Sequence, residues 1–259
     1  MRRLVALLVP LAFAGCVAIA AADDDDGPRK GTAAAAAVQP ATAVRRVMLG
    51  RSVQGRAIRA LVLGDPNATV TALVVGNVHG DEPGGFAVVH RLRRFVPPPG
   101  TALWLVRSFN PDGTAAHTRQ NAHGVDLNRN FPFHWHSLGP PGSRYYAGPR
   151  PLSEPESRIA HALILRLRPR LTIWFHQPYD VTDRSGGDAH FERQFAALSG
   201  LPLHQLPRYP GSITSWQDFR LREGTAFVVE LPPGLPSPAA AARYAGAVRQ
   251  VVTEVLSAP

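Results

Sequence analysis

His79 and Glu82 stand three positions apart in the segment HGDE (79–82), directly after the apolar run VTALVVGN (70–77). An imidazole nitrogen and a carboxylate at that spacing, on a turn leaving a strand, can bring two donor atoms to one cation. The same spacing also fits a solvated loop. Position weighs for the metal, because ligands gather beyond the carboxyl ends of buried strands in open α/β sheets. His176 closes a second apolar run, LTIWFH (171–176). Alone it also fits a hydrogen-bonded core residue. Coupled to His79 and Glu82 it completes a His₂Glu set with one coordination position open to water, the composition of a catalytic zinc site. The other histidines, His123 and His204 among them, lack the strand-end setting and are expected on the surface or in loops. Glu230 ends a third run, TAFVVE (225–230). Its plain reading is a carboxylate exposed at a strand edge. Buried there it would be costly without a purpose, and beside a metal and its water it has the chemistry of a general base, its pKa raised by burial.

The longest polar segment is NPDGTAAHTRQNAHGVDLNRNFP (110–132). Its Asn, Asp, Gly and Arg content predicts an ordered loop dense in hydrogen-bonding groups. Arg119 and Arg129 in such a loop can grip a carboxylate with a two-pronged contact or stabilise an oxyanion, and Asn128 can share the grip. A solvated loop remains the alternative, chiefly for Arg119.

Five short runs would present these residues. IRALVLG (58–64), VTALVVGN (70–77), TALWLVRS (101–108), LTIWFH (171–176) and TAFVVEL (225–231) are nearly all apolar, as strands buried on both faces of a mostly parallel sheet must be. Between them, Phe86, Val89, Leu92 and Val96 recur at helical spacing. Ser153 and Glu156 suggest a capping box ahead of Ile159, Leu163 and Leu167. Phe191, Phe195 and Leu198 precede a Gly200 stop, and Tyr244, Val248, Val251 and Val255 mark a last helix. The alternation predicts one α/β domain, a three-layer α/β/α sandwich around a mixed, mostly parallel sheet.

The formal charge of +9 rests almost wholly on arginine, with Lys30 the only lysine, and suggests an anionic partner or surface. No basic helix or interleaved basic and aromatic pattern points to nucleic acid; an anionic cell envelope fits at least as well. Met1-Arg2-Arg3 and the apolar LVALLVPLAFAG (4–15) have the form of an export signal too short to span a bilayer. We expect a signal peptide over 1–22, a flexible tether over 23–43 and a catalytic domain over 44–259. AFAGC (12–16) resembles a lipobox, which would put a lipid on Cys16 as the one membrane attachment, while AIAAA (18–22) suits cleavage by an ordinary signal peptidase. As the sole cysteine, Cys16 rules out a disulfide within the chain. Nothing in the sequence sets an oligomeric state.

SVQGRAI (52–58), GNVHGDEPGG (76–85), NPDG (110–113), TRQNAHGVDLNRNFP (118–132), FHQP (175–178) and VVELPPG (228–234) follow one another in an order that resembles the zinc carboxypeptidase family, in particular its bacterial murein peptide amidase branch. The resemblance covers the chain from Arg46 onward and implies a mixed sheet between helices. It implies that His79, Glu82 and His176 hold one zinc ion, that Arg119 polarises the scissile carbonyl, that Asn128 and Arg129 hold the substrate's terminal carboxylate, and that Glu230 is the general base. The family's mobile tyrosine precedes a Gly-Ser-Ile stretch; here Tyr209 stands closer to GSI (211–213), which weakens its match to a carboxylate cap. His176-Gln177-Pro178 replaces the family's His-Ser-Tyr, as in the murein branch, and a proline there admits a cis bond. The implied substrate is a peptide with a free terminal carboxylate, from cell wall, cleaved between γ-D-glutamate and meso-diaminopimelate. Asp180, Asp183 and Asp188 are candidates to meet the diaminopimelate ammonium, although a loop of solvated acids accounts for them better. Competing readings are an N-acyl amino acid deacylase similar to aspartoacylase or succinylglutamate desuccinylase, and a wall-binding module without catalysis.

Overall fold

A computed structural model of the chain describes residues 44–184 and 186–258. The expected signal, Cys16 and tether lie outside the described residues. Eight strands form one sheet in the order β1-β2-β4-β3-β5-β8-β6-β7. These are β1 (Val44–Arg51), β2 (Ala57–Gly64), β3 (Val70–Val75), β4 (Thr101–Val106), β5 (Leu171–His176), β6 (Val181–Asp183), β7 (Leu203–His204) and β8 (Thr225–Glu230). The central strands β4, β3, β5 and β8 run parallel, β2 and β6 join them antiparallel, and β1 pairs antiparallel with β2, so the sheet is mixed as expected.

Side-chain alternation explains why the central strands carry no polar face. On β3, β4, β5 and β8 the residues Val74, Leu105, Ile173 and Val229 pack with α1 (Gly85–Leu92), α4 (Ala189–Ser199) and α6 (Pro238–Ser257). Their neighbours Val75, Trp104, Trp174 and Val228 pack on the other face with α3 (Pro155–Leu167) and α5 (Ile213–Arg220). Two buried faces demand two apolar sets, hence the unbroken runs and the three layers. His176 and Glu230 share the parity of Trp174 and Val228, so both project toward the α3–α5 side. The strands β3, β5 and β8 are neighbours, and His176 lies opposite Glu230 in the ladder. The three runs singled out in the sequence therefore end side by side.

Helix predictions hold with two corrections. Gly200 ends α4 in the left-handed conformation at φ 75°, as its position suggested. Val96 lies beyond α1 and is exposed. The capping box at Ser153 and Glu156 does not form: Pro155 opens α3, the preceding residue is Glu154, and the Ser153 hydroxyl donates to the Glu154 carboxylate instead. Glu156 accepts from the Val53 N–H and the Asn121 amide, tying the helix to the turn after β1 and to the long loop.

Asp218 on α5 accepts from the Ala226 N–H of β8 at 2.8 Å, while its second oxygen is buried with no hydrogen-bond partner among the described residues. Burial, assisted by Glu192, pushes its pKa up to about 7. A folded pKa above the unfolded value means that the folded state holds more protons, so stability falls as pH rises from about 4 to about 7. Asp218→Asn keeps the acceptor and removes the charge. It should raise the denaturation midpoint at pH 8, by about 2 kcal/mol of stability, and leave it unchanged at pH 4 in paired melts.

Candidate active site

The HGDE turn approaches α2 (Pro111–Ala116) so closely that a Cβ on Gly80 would lie 1.9 Å from the Gly113 carbonyl carbon. Only glycine allows this approach, which sets His79 and Glu82 against the ends of β3 and β5. Gln177 fixes the remaining segments. Its side-chain oxygen accepts from the Gly84 N–H at 2.8 Å, and its amide donates to the carbonyls of Pro232 and Gly234. One buried side chain thus joins the HGDE turn, the end of β5 and the Pro-rich turn after β8. The Gln177–Pro178 peptide is cis.

His79 Nδ1 lies 2.9 Å from Glu82 Oε1 and 3.2 Å from His176 Nδ1, and His176 Nδ1 lies 3.0 Å from Glu82 Oε2. Ligand atoms about 2.05 Å from a tetrahedral zinc ion are separated by roughly 3.3 Å. The three donors therefore have the chemistry and the spacing of a zinc site, and all three residues are buried. His79 Nε2 points away from this centre and meets Asp126 Oδ1 at 3.0 Å, the carboxylate–histidine arrangement that fixes a ligand's tautomer. Burial alone would lower the His79 pKa, but Glu82 and Asp126 outweigh it and hold it above the usual histidine value. Burial likewise opposes ionisation of Glu82 and Asp126. The imidazoles around Glu82, and His79 with Arg119 around Asp126, nevertheless keep both well below the usual carboxylate range.

Asp126 is a residue that sequence reasoning missed. Besides His79 it accepts from Arg119 Nε at 2.9 Å and from the Asn128 N–H at 3.0 Å, so one buried carboxylate orients a ligand, an arginine and the 3₁₀ turn Leu127–Arg129. Its only sequence signal was an acid set between Val125 and Leu127 ahead of a tight turn. Asp126→Asn should weaken zinc binding by about 10- to 100-fold in a chelator competition titration.

The loop residues converge on the same place. Arg119 Nη1 also reaches Glu82 Oε1 at 3.2 Å. Asn128 Oδ1 accepts from the Ile213 N–H at the start of α5. Arg129 is buried, donates to the Asn128 carbonyl at 2.7 Å, and has no carboxylate partner among the described residues. Burial, reinforced by Arg119, pulls its pKa below the ordinary arginine value. The Tyr209 ring lies 4.3 Å from the Arg129 guanidinium carbon and is nearly half exposed, at the rim. Tyr145, which the sequence did not single out, has its ring within 5.5 Å of both Arg119 and Arg129. Glu230 is buried with one oxygen unpartnered among the described residues; burial raises its pKa, and His176 offsets part of the rise.

All eight sequence-predicted residues line one pocket of about 220 Å³, with Tyr145, Asp183 and Arg208. Of the three loop acids, Asp180 and Asp188 are exposed as expected of solvated groups, whereas Asp183 is buried in this pocket. His204 closes the two-residue strand β7 and is exposed, in keeping with its reading as a surface residue.

The sequence matches the zinc carboxypeptidase family over residues 99–181. Murein peptide amidase A of Escherichia coli (strain K12) is 31% identical over 188 residues, spanning 67% of this chain and 76% of that protein. Murein peptide amidase A of Vibrio campbellii is 29% identical over 174 residues, spanning 62% and 69%. Among solved structures, the murein-tripeptide amidase of Escherichia coli O157 aligns with a TM-score of 0.65 at 28% identity, covering 80% of this chain and 91% of that one. Carboxypeptidase A from Helicoverpa armigera, at 18% identity, shares the fold with a TM-score of 0.71 over 82% of this chain and 68% of that one. Joined to a buried His₂Glu centre at the ends of three adjacent strands, these likenesses show that the chain belongs to the zinc carboxypeptidase family, in the branch of the murein peptide amidases, and is a zinc-dependent peptide hydrolase.

Proposed function

We propose that the protein hydrolyses the amide bond between γ-D-glutamate and meso-diaminopimelate in cell-wall peptides that end in a free carboxylate. The observation that carries this reading is Arg129, a buried cation with no carboxylate partner among the described residues, in the same pocket as the zinc ligands and Glu230. A charge so placed costs desolvation unless an anion joins it, and the terminal carboxylate of a substrate is that anion. Asn128 adds a neutral contact, and Tyr209 covers the guanidinium at the rim. Zinc, when bound, supplies Lewis acidity toward the carbonyl and toward water. Glu230, its pKa raised by burial, takes a proton from the attacking water and returns it to the leaving amine. Arg119, its charge secured by Asp126 and Glu82, faces the oxygen that becomes negative. Murein peptide amidases among the relatives support the wall-peptide substrate. Export is part of the proposal, supported by the signal-like segment 1–22.

Incubation of the zinc-loaded protein with γ-D-glutamyl-diaminopimelate peptides and with N-acetyl amino acids, followed by mass spectrometry, tests the reading. Release of diaminopimelate is expected; cleavage of the N-acyl substrates alone would favour a deacylase. Arg129→Gln should raise KM for the wall peptide by about 10- to 100-fold with a small change in kcat, as expected where a charged hydrogen bond serves binding.

A further inference from the structure

Asp183 and Arg208 form an ion pair in the wall of the pocket that holds the zinc ligands. The sheet register fixes their depth. Val181 of β6 lies opposite Glu230 and Thr182 opposite Val229, and the antiparallel step that follows sets Asp183 beside Val228. Side chains alternate along a strand, so Glu230, Val228 and Asp183 face the same side. Asp183 is then two residues below Glu230, roughly 7 Å further from the sheet edge. By this register Asp183 lies at the inner end of a pocket that Glu230, Val228, Arg208, Thr214 and Ser215 also line.

Four features of this end bear on what enters it. Asp183 is buried and Arg208 partly exposed. Asp183 Oδ1 accepts from the Leu206 N–H at 2.8 Å, which holds the loop carrying Arg208 against β6. Arg208 also donates to the Arg184 carbonyl at 2.6 Å. Its contact with Asp183 Oδ2, at 3.3 Å, is longer than the 2.7–2.9 Å of a close charge-assisted bond, so the partly exposed guanidinium is not saturated by this pair. An apolar side chain would gain nothing from this wall, because burying a loose ion pair against it costs desolvation without return.

Resting on the reaction proposed above, we infer that Asp183 and Arg208 select a released residue whose side chain ends in an α-amino acid group, Asp183 meeting its ammonium and Arg208 its carboxylate. Arg129 and Asn128 hold the main-chain carboxylate, so the residue is gripped at both ends. The pair thereby selects the leaving residue, a task separate from the chemistry at zinc.

The test uses the zinc-loaded protein and three γ-D-glutamyl peptides that differ only in the last residue: meso-diaminopimelate, lysine without the distal carboxylate, and 2-aminopimelate without the distal ammonium. The unmodified protein should prefer diaminopimelate over each by about 10- to 100-fold in kcat/KM. Arg208→Met should collapse the preference over lysine and keep that over 2-aminopimelate; Asp183→Asn should do the reverse. Equal losses on all three peptides, or unchanged ratios, would assign the pair to holding the loop and overturn the inference. If Asp183→Asn folds poorly, Arg208→Met on its partly exposed loop decides alone. Hydrolysis of all three without preference would sink the pocket assignment and leave the reaction standing, whereas hydrolysis of none would sink both.

Discussion

Glu230→Gln is expected to keep zinc at one ion per chain and lower kcat on the wall peptide by about 10²- to 10⁴-fold. The reason lies in the division of labour at the strand ends. The donor set that fits zinc is His79, Glu82 and His176, all on neighbouring segments, and Glu230 is outside it. Glutamine keeps the shape of the side chain and an oxygen for the Tyr179 backbone bond, but it takes no proton from water. The pH profile gives a second reading. Burial raises the Glu230 pKa, so the acid limb of kcat/KM in the unmodified protein should lie above the usual glutamate range, and that limb should vanish in the variant. A zinc-loaded variant keeping more than about a tenth of the activity would remove Glu230 as the base. The same measurement separates an enzyme from a wall-binding module, since a module would be indifferent to this change.

Much of this arrangement was legible in the sequence because the sheet is buried on both faces. Strands such as LTIWFH and TAFVVE admit no polar residue until they leave the core, so a terminal His or Glu marks the point where chain meets site. The peripheral elements were harder to read. β1 carries VRRVMLGR on an edge, largely exposed, and has no two-faced apolar signature. β6 and β7 are only three and two residues long and are strands only because β8 ends the central sheet beside them. Asp126, Gln177 and Asp183 were missed or undervalued for one shared reason. Each acts across segments distant in sequence: Asp126 reaches His79, Gln177 reaches Gly84 and Gly234, and Asp183 reaches Arg208. Local spacing carries no trace of such pairings, which exist only once the topology is known. The capping-box failure is the converse case, a correct local motif overridden when Pro155 opened the helix and Glu156 was drawn toward Val53 and Asn121.

Removal of zinc by a chelator should abolish hydrolysis and leave the far-ultraviolet circular dichroism unchanged, activity returning on readdition of zinc. The fold survives because both apolar faces of the sheet are closed by helices without the metal's help. What changes is the melting temperature, by the linkage of a ligand that binds only the folded state. That difference should depend on pH in a definite direction. In the metal-free protein the His79 pKa is raised, so protonating it stabilises the fold; this contribution is full below the unfolded value of 6.5 and fades as pH rises through the folded pKa. Zinc needs the same Nδ1 without its proton, so its affinity moves the opposite way. The gap in melting temperature between zinc-loaded and zinc-free protein should therefore be wide at pH 8 and close as the pH falls below about 6. His79→Ala should show no such gap at any pH, because Glu82 and His176 alone make a weak two-ligand site. A gap that stayed constant from pH 5 to pH 8 would mean that proton and metal do not share this nitrogen, and the His₂Glu assignment would fail with it.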